Sequence, residues 1–247
     1  MFQILSFTLI PTLYSIRASP TFQSAVSYPL PPPSTIKGMI ANALQRFQNK
    51  SPTECVRFVE ENVLMCSSTF LNSVGVSSTN ILRQVVWDEK AKEFRTDALA
   101  REFIHAQKIY CVLVLKNYSI TKLIAEALRN TPIYLGDSES LVTIDEIKID
   151  ENYKCLNFNP DENVEFNVYA PMDFFKEIYD DITLMWFPEK IIEGKDLPLT
   201  LYVLPLKIEK SVYRPLKTIK AKVKEAVLLI ESFSFRLILR HPKYVKN

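Results

Sequence analysis

Residues 28–47 read YPLPPPSTIKGMIANALQRF, and the change of pattern inside this stretch decides the fold class. Pro29, Pro31, Pro32 and Pro33 fix their own φ angles and bias the residues before them away from the α region, so the chain stays extended up to Ser34. From there Ile36, Met39, Ile40, Ala43, Leu44 and Phe47 fall at i, i+3, i+4, i+7, i+8 and i+11. That spacing is one apolar face of a helix, and Ser34 is its expected N-cap. Upstream, Met1 to Ile16 is mostly apolar and carries no charge, so it reads as a strand buried on both faces. No basic segment opens it and no small-residue cleavage site closes it, while Pro11, Gln3, Ser6, Thr8 and Thr12 argue against a membrane helix. We therefore expect a soluble, cytoplasmic protein with no membrane association.

Working downstream, a second short helical pattern covers about 53–64. Residues 65–106 are less regular, with serines around Gly75 and two β-like runs, Ile81 to Trp87 and Phe94 to Thr96, on either side of the charged turn Asp88 to Glu93. This suggests a hairpin standing off the core. Ile109 to Leu115 reads as a strand. Ser119 or Thr121 then caps a helix carrying Ile120, Leu123, Ile124, Ala127 and Leu128 on one face, and Thr131-Pro132 ends it. Strand segments Ile133 to Leu135 and Leu141 to Ile149 flank Gly136. The order is strand, helix, insertion, strand, strand, helix, strand, the βαββαβ order of a ferredoxin-like fold that RNA-recognition motifs also use. The expected class is α+β: a ferredoxin-like domain over 1–149 with a hairpin insertion at about 65–106, then a smaller, mainly β part over 150–247. Strand patterns there are Val164 to Tyr169, Ile182 to Phe187, Leu199 to Leu206 and Phe233 to Leu239, whereas 216–230 fits strand or helix equally.

Composition excludes several chemistries. With four glycines in 247 residues there is no GxGxxG and no GxxxxGK[ST] phosphate loop. The two histidines and the scattered Cys55, Cys66, Cys111 and Cys155 show no CxxC or HExxH spacing, which argues against zinc sites and a disulfide framework, and no cofactor is expected. His105 follows Phe103-Ile104 and reads as packed or half-buried, His241 lies near the terminus, and Asp180-Asp181 reads as a solvated turn. The net charge of +2 hides a segregation. Residues 1–129 hold 14 Lys/Arg against 9 Asp/Glu (+5), residues 130–206 hold 5 against 16 (−11), and residues 207–247 hold 11 against 3 (+8). Blocks of this kind either bind a polyanion beside a different partner or neutralise one another in the fold.

Three places invite an anion. Lys37 sits in the first helical turn, where the macrodipole disfavours a cation by roughly 0.3–1 kcal/mol unless an anion is also present. Ser34, Thr35 and the free N–H groups there form such a site, and Gly38 permits close approach. Alternatively, Lys37 snorkels to solvent. The second place is the turn from Tyr134 through Gly136 and Ser138 to Ser140, which reads as a tight turn or bulge and whose serines and bare backbone can meet sugar or phosphate. The third is the C-terminal basic set. If 217–224 is a strand, Lys220, Lys222 and Lys224 share one face, either to follow a single-stranded phosphate chain or to protect an edge strand.

Two of these segments together carry a family resemblance. Tyr28 to Gly38 resembles a proline-rich approach to a first helix that ends in glycine, and Thr131-Pro132-Ile133-Tyr134-Leu135-Gly136-Asp137-Ser138-Glu139 resembles a YLG-x-[SK]-E segment. The pairing looks like the fifth Cas protein family of type I CRISPR effector complexes, in the RAMP superfamily. The resemblance implies a non-catalytic subunit of a Cascade-like antiviral complex that holds the 5′ handle of crRNA and caps the backbone filament. It further implies a thumb-like hairpin at about 65–106, and partners that include the backbone RAMP subunit and the large subunit. With the C-terminal row, which the resemblance does not reach, the candidate RNA-binding residues are Arg17, Tyr28, Ser34, Thr35, Lys37, Gly38, Arg83, Tyr134, Gly136, Ser138, Lys220, Lys222 and Lys224. One related subtype is a metal-independent endoribonuclease using a Tyr, a Lys and a His. Here Lys116 is followed by Asn117 and neither histidine follows a lysine, which leaves only a spatial gathering of Tyr28, a lysine and His105 for that alternative.

Overall fold

The computed structural model describes residues 2–18, 24–71, 74–136, 140–191 and 198–240. Its first strand, β1 (Gln3–Pro11), is the middle strand of the largest antiparallel sheet, which explains its run of apolar residues. Leu5, Phe7 and Leu9 face one side and Ile4, Ser6 and Thr8 the other, all of them buried. A short contact strand, β2 (Ser24–Ala25), lies in the loop that follows.

Helix α1 (Pro33–Gln48) starts one residue before the serine expected to cap it. Pro32 is the N-cap and no side chain caps the end, so Ser34 lies inside the first turn; Pro33 has no N–H to satisfy and its φ is already helical. Helix α2 (Pro52–Asn62) has a full capping box, Ser51 Oγ accepting from the Glu54 amide and the Glu54 carboxylate accepting from the Ser51 amide. Then come β3 (Val63–Thr69), the long hairpin β4 (Gly75–Asp88) and β5 (Glu93–Ala106), and β6 (Ile109–Leu115). Helix α3 (Tyr118–Asn130) is capped by Asn117, whose Oδ1 accepts from the Ile120 amide at 3.1 Å, not by Ser119 or Thr121. Strands β7 (Ile133–Tyr134) and β8 (Leu141–Asp150) complete a sheet of order β3-β6-β1-β8-β7. Residues 63–69 therefore belong to the sheet, not to the insertion, and the inserted hairpin runs from 75 to 106.

Beyond Asp150 the described residues are almost entirely strand: β9 (Lys154–Phe158), β10 (Asn163–Phe166), β11 (Ala170–Pro171), a 3-10 turn (Met172–Phe174), β12 (Phe175–Ile178), β13 (Thr183–Pro188) and β14 (Leu199–Leu204). These are followed by β15 (Leu206–Glu209), β16 (Val212–Pro215), β17 (Ile219–Val223), β18 (Val227–Ser232) and β19 (Phe235–Arg240). The ambiguous 216–230 segment is thus two strands. They form three small sheets, β10-β17-β12, β11-β14-β13 and β19-β18-β9, while β15 and β16 extend the hairpin into a sheet of order β15-β16-β4-β5-β2. The whole is a mixed α/β protein with three α-helices among the described residues.

Both faces of the first sheet are covered. On one, Leu5, Phe7 and Leu9 pack with Ile36, Ile40 and Leu44 of α1 and Ile124 and Leu128 of α3. On the other, Ile4, Val112 and Val114 pack with Leu228, Ile230, Phe235 and Leu237 of the C-terminal β18–β19 hairpin. Each such aliphatic or aromatic side chain contributes about 1.5–3 kcal/mol on burial.

All four cysteines are free; Cys55, Cys66 and Cys111 are buried and Cys155 is exposed on β9. Burial pushes the Cys66 thiol up to about 12 from an ordinary value of 9.0. The folded pKa is the raised one, so this contribution to stability is complete below pH 9 and is lost as the pH climbs toward 12. A thiol-exchange reagent at pH 8 should titrate one fast group, removed by Cys155→Ser, with the remaining thiols reacting only on unfolding. Two or more fast thiols would contradict this packing.

Candidate nucleic-acid interface

The loop before α1 is laid along the foot of β5. Tyr14 and Ile104 exchange backbone hydrogen bonds at 3.0 and 2.8 Å, Ser24 and Ala25 pair with Ala100 and Arg101, and the Ser27 amide donates to Glu102 Oε2 at 2.9 Å. Within the loop, the Ile16 amide donates to Ser27 Oγ at 2.9 Å and the Tyr28 amide to the Ile16 carbonyl at 2.8 Å. Against this loop sits Gly136, with φ +87°; a Cβ there would lie 2.5 Å from the Ser15 carbonyl oxygen and 2.9 Å from Ile16 Cγ1. The two segments singled out in the sequence therefore meet at Ser15–Ile16. Only glycine suits that turn, for its backbone angle and for the close approach.

Arginines surround this junction. Arg17 is exposed beside Ile16. Arg101 Nε donates to Ser15 Oγ at 3.2 Å while its guanidinium lies 5.1 Å from the Phe103 ring centre. Arg46, in the last turn of α1, lies 5.3 Å from the centre of the Tyr134 ring. Neither Arg46 nor Arg101 was anticipated from sequence, because one reads as the polar side of a helix and the other as part of an irregular insertion.

Other expected contacts are corrected. Tyr28 is a core residue, its ring edge-on to Phe187 at 5.0 Å. Lys37 is only 9% exposed, and its Nζ is 2.8 Å from Glu60 Oε2. The unfavourable placement of a cation in the first turn is thus compensated by a carboxylate of α2, whose Oε1 also accepts from the Ile191 amide at 2.7 Å. Ser34 and Thr35 are half-buried, and nothing lies within 4 Å of where a Gly38 Cβ would be, so this flank of the helix start is open. The Ser138 position and the Arg83 side chain lie outside the described residues.

The lysine row is real as geometry but not as a free cation track. Strand β17 is central rather than an edge, and Lys220 and Lys222 share its outer face. Lys220 lies 3.5 Å from Glu165 and Lys222 3.4 Å from Asp161, which also holds Lys176 at 2.9 Å. Lys176, then Lys222, keep the Asp161 carboxyl below its ordinary pKa. Lys224 follows the strand, its amide donating to the Phe174 carbonyl at 2.8 Å.

The hairpin carries a feature the sequence reading missed. Trp87 and Phe94 are directly opposed across the ladder, their ring centres 5.0 Å apart, and they are 50% and 73% exposed. Ile81 and Val85 extend the same face and are also exposed. Alternation about the Asp88–Glu93 turn contained this pairing. By contrast, the face of the first sheet opposite α1 and α3 is buried beneath β18 and β19.

His105 is exposed rather than packed, its Nδ1 2.6 Å from the Thr12 carbonyl oxygen, and so lies at the surface while Tyr28 lies in the core. His241 lies outside the described residues. Among the described residues, no group of three or more His, Cys, Asp or Glu is placed to hold a metal ion, and no helix is long and apolar enough to cross a membrane.

A solved CRISPR protein from Archaeoglobus fulgidus is similar over 98% of this chain and 100% of its own, with 16% identity and a TM-score of 0.58, which is a likeness of fold. A chain of a CRISPR RNA-guided surveillance complex aligns over 90% of this chain and 91% of its own at 15% identity and TM-score 0.43. A chain of the Type III-B Cmr-beta complex bound to cognate target RNA and AMPPnP aligns over 85% of each at 10% identity and TM-score 0.46. No curated protein matches the sequence. The family model described as CRISPR-associated protein (Cas_Cas5) matches residues 5–153, more than half of the sequence and the part that includes both motifs, the hairpin and the junction between them, and the chain belongs to that family.

Proposed function

We propose that this chain is a non-catalytic, RNA-binding subunit of a Cascade-like CRISPR effector complex, holding the 5′ handle of crRNA and capping the backbone beside the RAMP and large subunits. The observation that carries the reading is the junction at Ser15–Ile16. There the loop before α1 and the exposed Gly136 turn pack together, Ser15 and Ile16 buried beneath the contact, with Arg17, Arg46 and Arg101 around it. We read the first sheet as ferredoxin-like: the order β3-β6-β1-β8, all antiparallel, with α1 and α3 on one face, supports it. The hairpin between its second and third strands is the thumb, and its aromatic tip offers a stacking platform for unpaired bases. The endoribonuclease alternative is disfavoured because the Tyr28 side chain is buried in the core while His105 is exposed.

Fluorescence anisotropy with a repeat-derived RNA tests this. If three or four phosphates are contacted, affinity should fall roughly 20–50-fold between 50 and 200 mM salt; indifference to salt would overturn the reading. Trp87→Ala combined with Phe94→Ala should weaken binding roughly tenfold or more, at the scale of one or two stacked bases, while changing stability by less than about 1 kcal/mol because both rings are exposed. Labelled repeat RNA incubated with the protein in EDTA should remain intact; a discrete cut lost in His105→Ala would make the chain an enzyme.

A further inference from the structure

Half of the sheet formed by β11, β14 and β13 is covered and half is bare. Ala170, Val203, Leu184, Leu201 and Trp186 share one face, by the direct pairing of Ala170 and Leu184 with Val203 and of Trp186 with Leu201. Ala170 and Val203 are buried in one apolar cluster with Phe174, Phe175 and Val223. Leu184 and Trp186, on the outer strand, are 47% and 56% exposed, with Leu201 half-buried beside them. An exposed tryptophan next to leucines, continuous with a covered apolar surface, is the composition of an interface core, and tryptophan is the residue most enriched at binding hot spots.

The surrounding charge selects the occupant. Asp180 and Asp181 precede β13, and the Asp181 side chain is 81% exposed although 3.2 Å from Lys207. A phosphate backbone is repelled by such a rim, whereas a protein surface bearing lysine or arginine is attracted. We propose that this face docks a protein partner that places an apolar side chain against Trp186 and Leu184 and basic side chains against the acidic rim. The surface is separate from the Ser15–Ile16 junction and the hairpin, so it does not depend on the RNA contacts; only the choice of probe rests on the proposed function.

The test labels the full chain with 5-fluorotryptophan, giving one fluorine signal for each of its two tryptophans, Trp87 and Trp186. Each other protein subunit of the effector complex, purified singly, is then added. One of them should shift or broaden the Trp186 signal. Its Kd should rise at least tenfold in Leu184→Asp/Trp186→Asp and about threefold or more in Asp181→Lys, with repeat-RNA affinity unchanged within twofold and the circular dichroism spectrum retained. A chain that binds repeat RNA but whose Trp186 signal answers to no subunit overturns this proposal and leaves the RNA reading standing. Loss of RNA affinity in parallel with the double variant would assign the face to nucleic acid. Self-association of the chain alone, abolished by the double variant, would assign it to a second copy. Either outcome overturns the proposal.

Discussion

Gly136→Val should destabilise the protein by about 4 kcal/mol or more, the largest effect of any single substitution considered. Two costs add. A β-branched residue at φ +87° is outside its allowed regions, a strain of roughly 1–3 kcal/mol. The new Cβ then falls 2.5 Å from the Ser15 carbonyl oxygen, a backbone atom that can only move by shifting the loop that also carries Ile16 and its bond to Tyr28. For a chain of this length a fall in Tm of roughly 8–16 °C is expected, read by thermal melts in circular dichroism. RNA affinity should drop even where the fold persists, because Arg17 is carried on the displaced segment and Arg101, on β5, is held by its Ser15. A Tm within about 2 °C of wild type would mean that the turn relaxes freely and that the junction is not built around glycine.

Lys37→Glu comes second, and its expected effect reverses the one a surface lysine would give. The substitution removes the partner of Glu60 and sets a second carboxylate where the ammonium was, in a site with 11% and 22% side-chain exposure. Breaking a buried pair on one side costs about 3–5 kcal/mol, and partial exposure here lowers that to about 2–4 kcal/mol. Tm should fall by roughly 5–15 °C. The charge swap Lys37→Glu/Glu60→Lys should recover about half of the loss and not all, because the Ile191 amide loses its acceptor. A wild-type Tm for Lys37→Glu would refute the pair; a fall in RNA affinity without any loss of stability would restore Lys37 to the interface.

The sequence carried α1 and the two turns because their signals are local: a 3.6-residue apolar period, prolines, a lone glycine. It concealed β3 because Ser67, Ser68 and Thr69 look like loop residues. They are buried, with Ser67 Oγ donating to the Tyr169 carbonyl at 2.8 Å and Ser68 Oγ to the Pro31 carbonyl at 3.4 Å. Those acceptors lie far along the chain, so nothing near position 67 announces that its hydroxyls are satisfied. Lys37 misled for the same reason, since Glu60 sits on the next helix. The basic and acidic blocks partly cancel, as Lys220 and Lys222 against Glu165 and Asp161 illustrate, so a linear tally of charge overstated the C-terminal cation track. The junction at Ser15–Ile16 was half legible: both motifs were visible, but their meeting and the arginines around it are products of tertiary packing.

The pairing of β16 with the root of β4, Tyr213 against Gly75 and Val76 against Val212, has a consequence for how the molecule is made. The thumb is synthesised early, yet the strand that braces its base emerges about 140 residues later, on the order of ten seconds at ribosomal speed. During that interval a nascent chain exposes Ile81, Val85, Trp87 and Phe94 on a ribbon held at its base by the loop before α1 on the β5 side alone. Chaperone capture should therefore concentrate on this stage of translation, and a ribosome stalled before Val212 should display a hairpin braced on one side only.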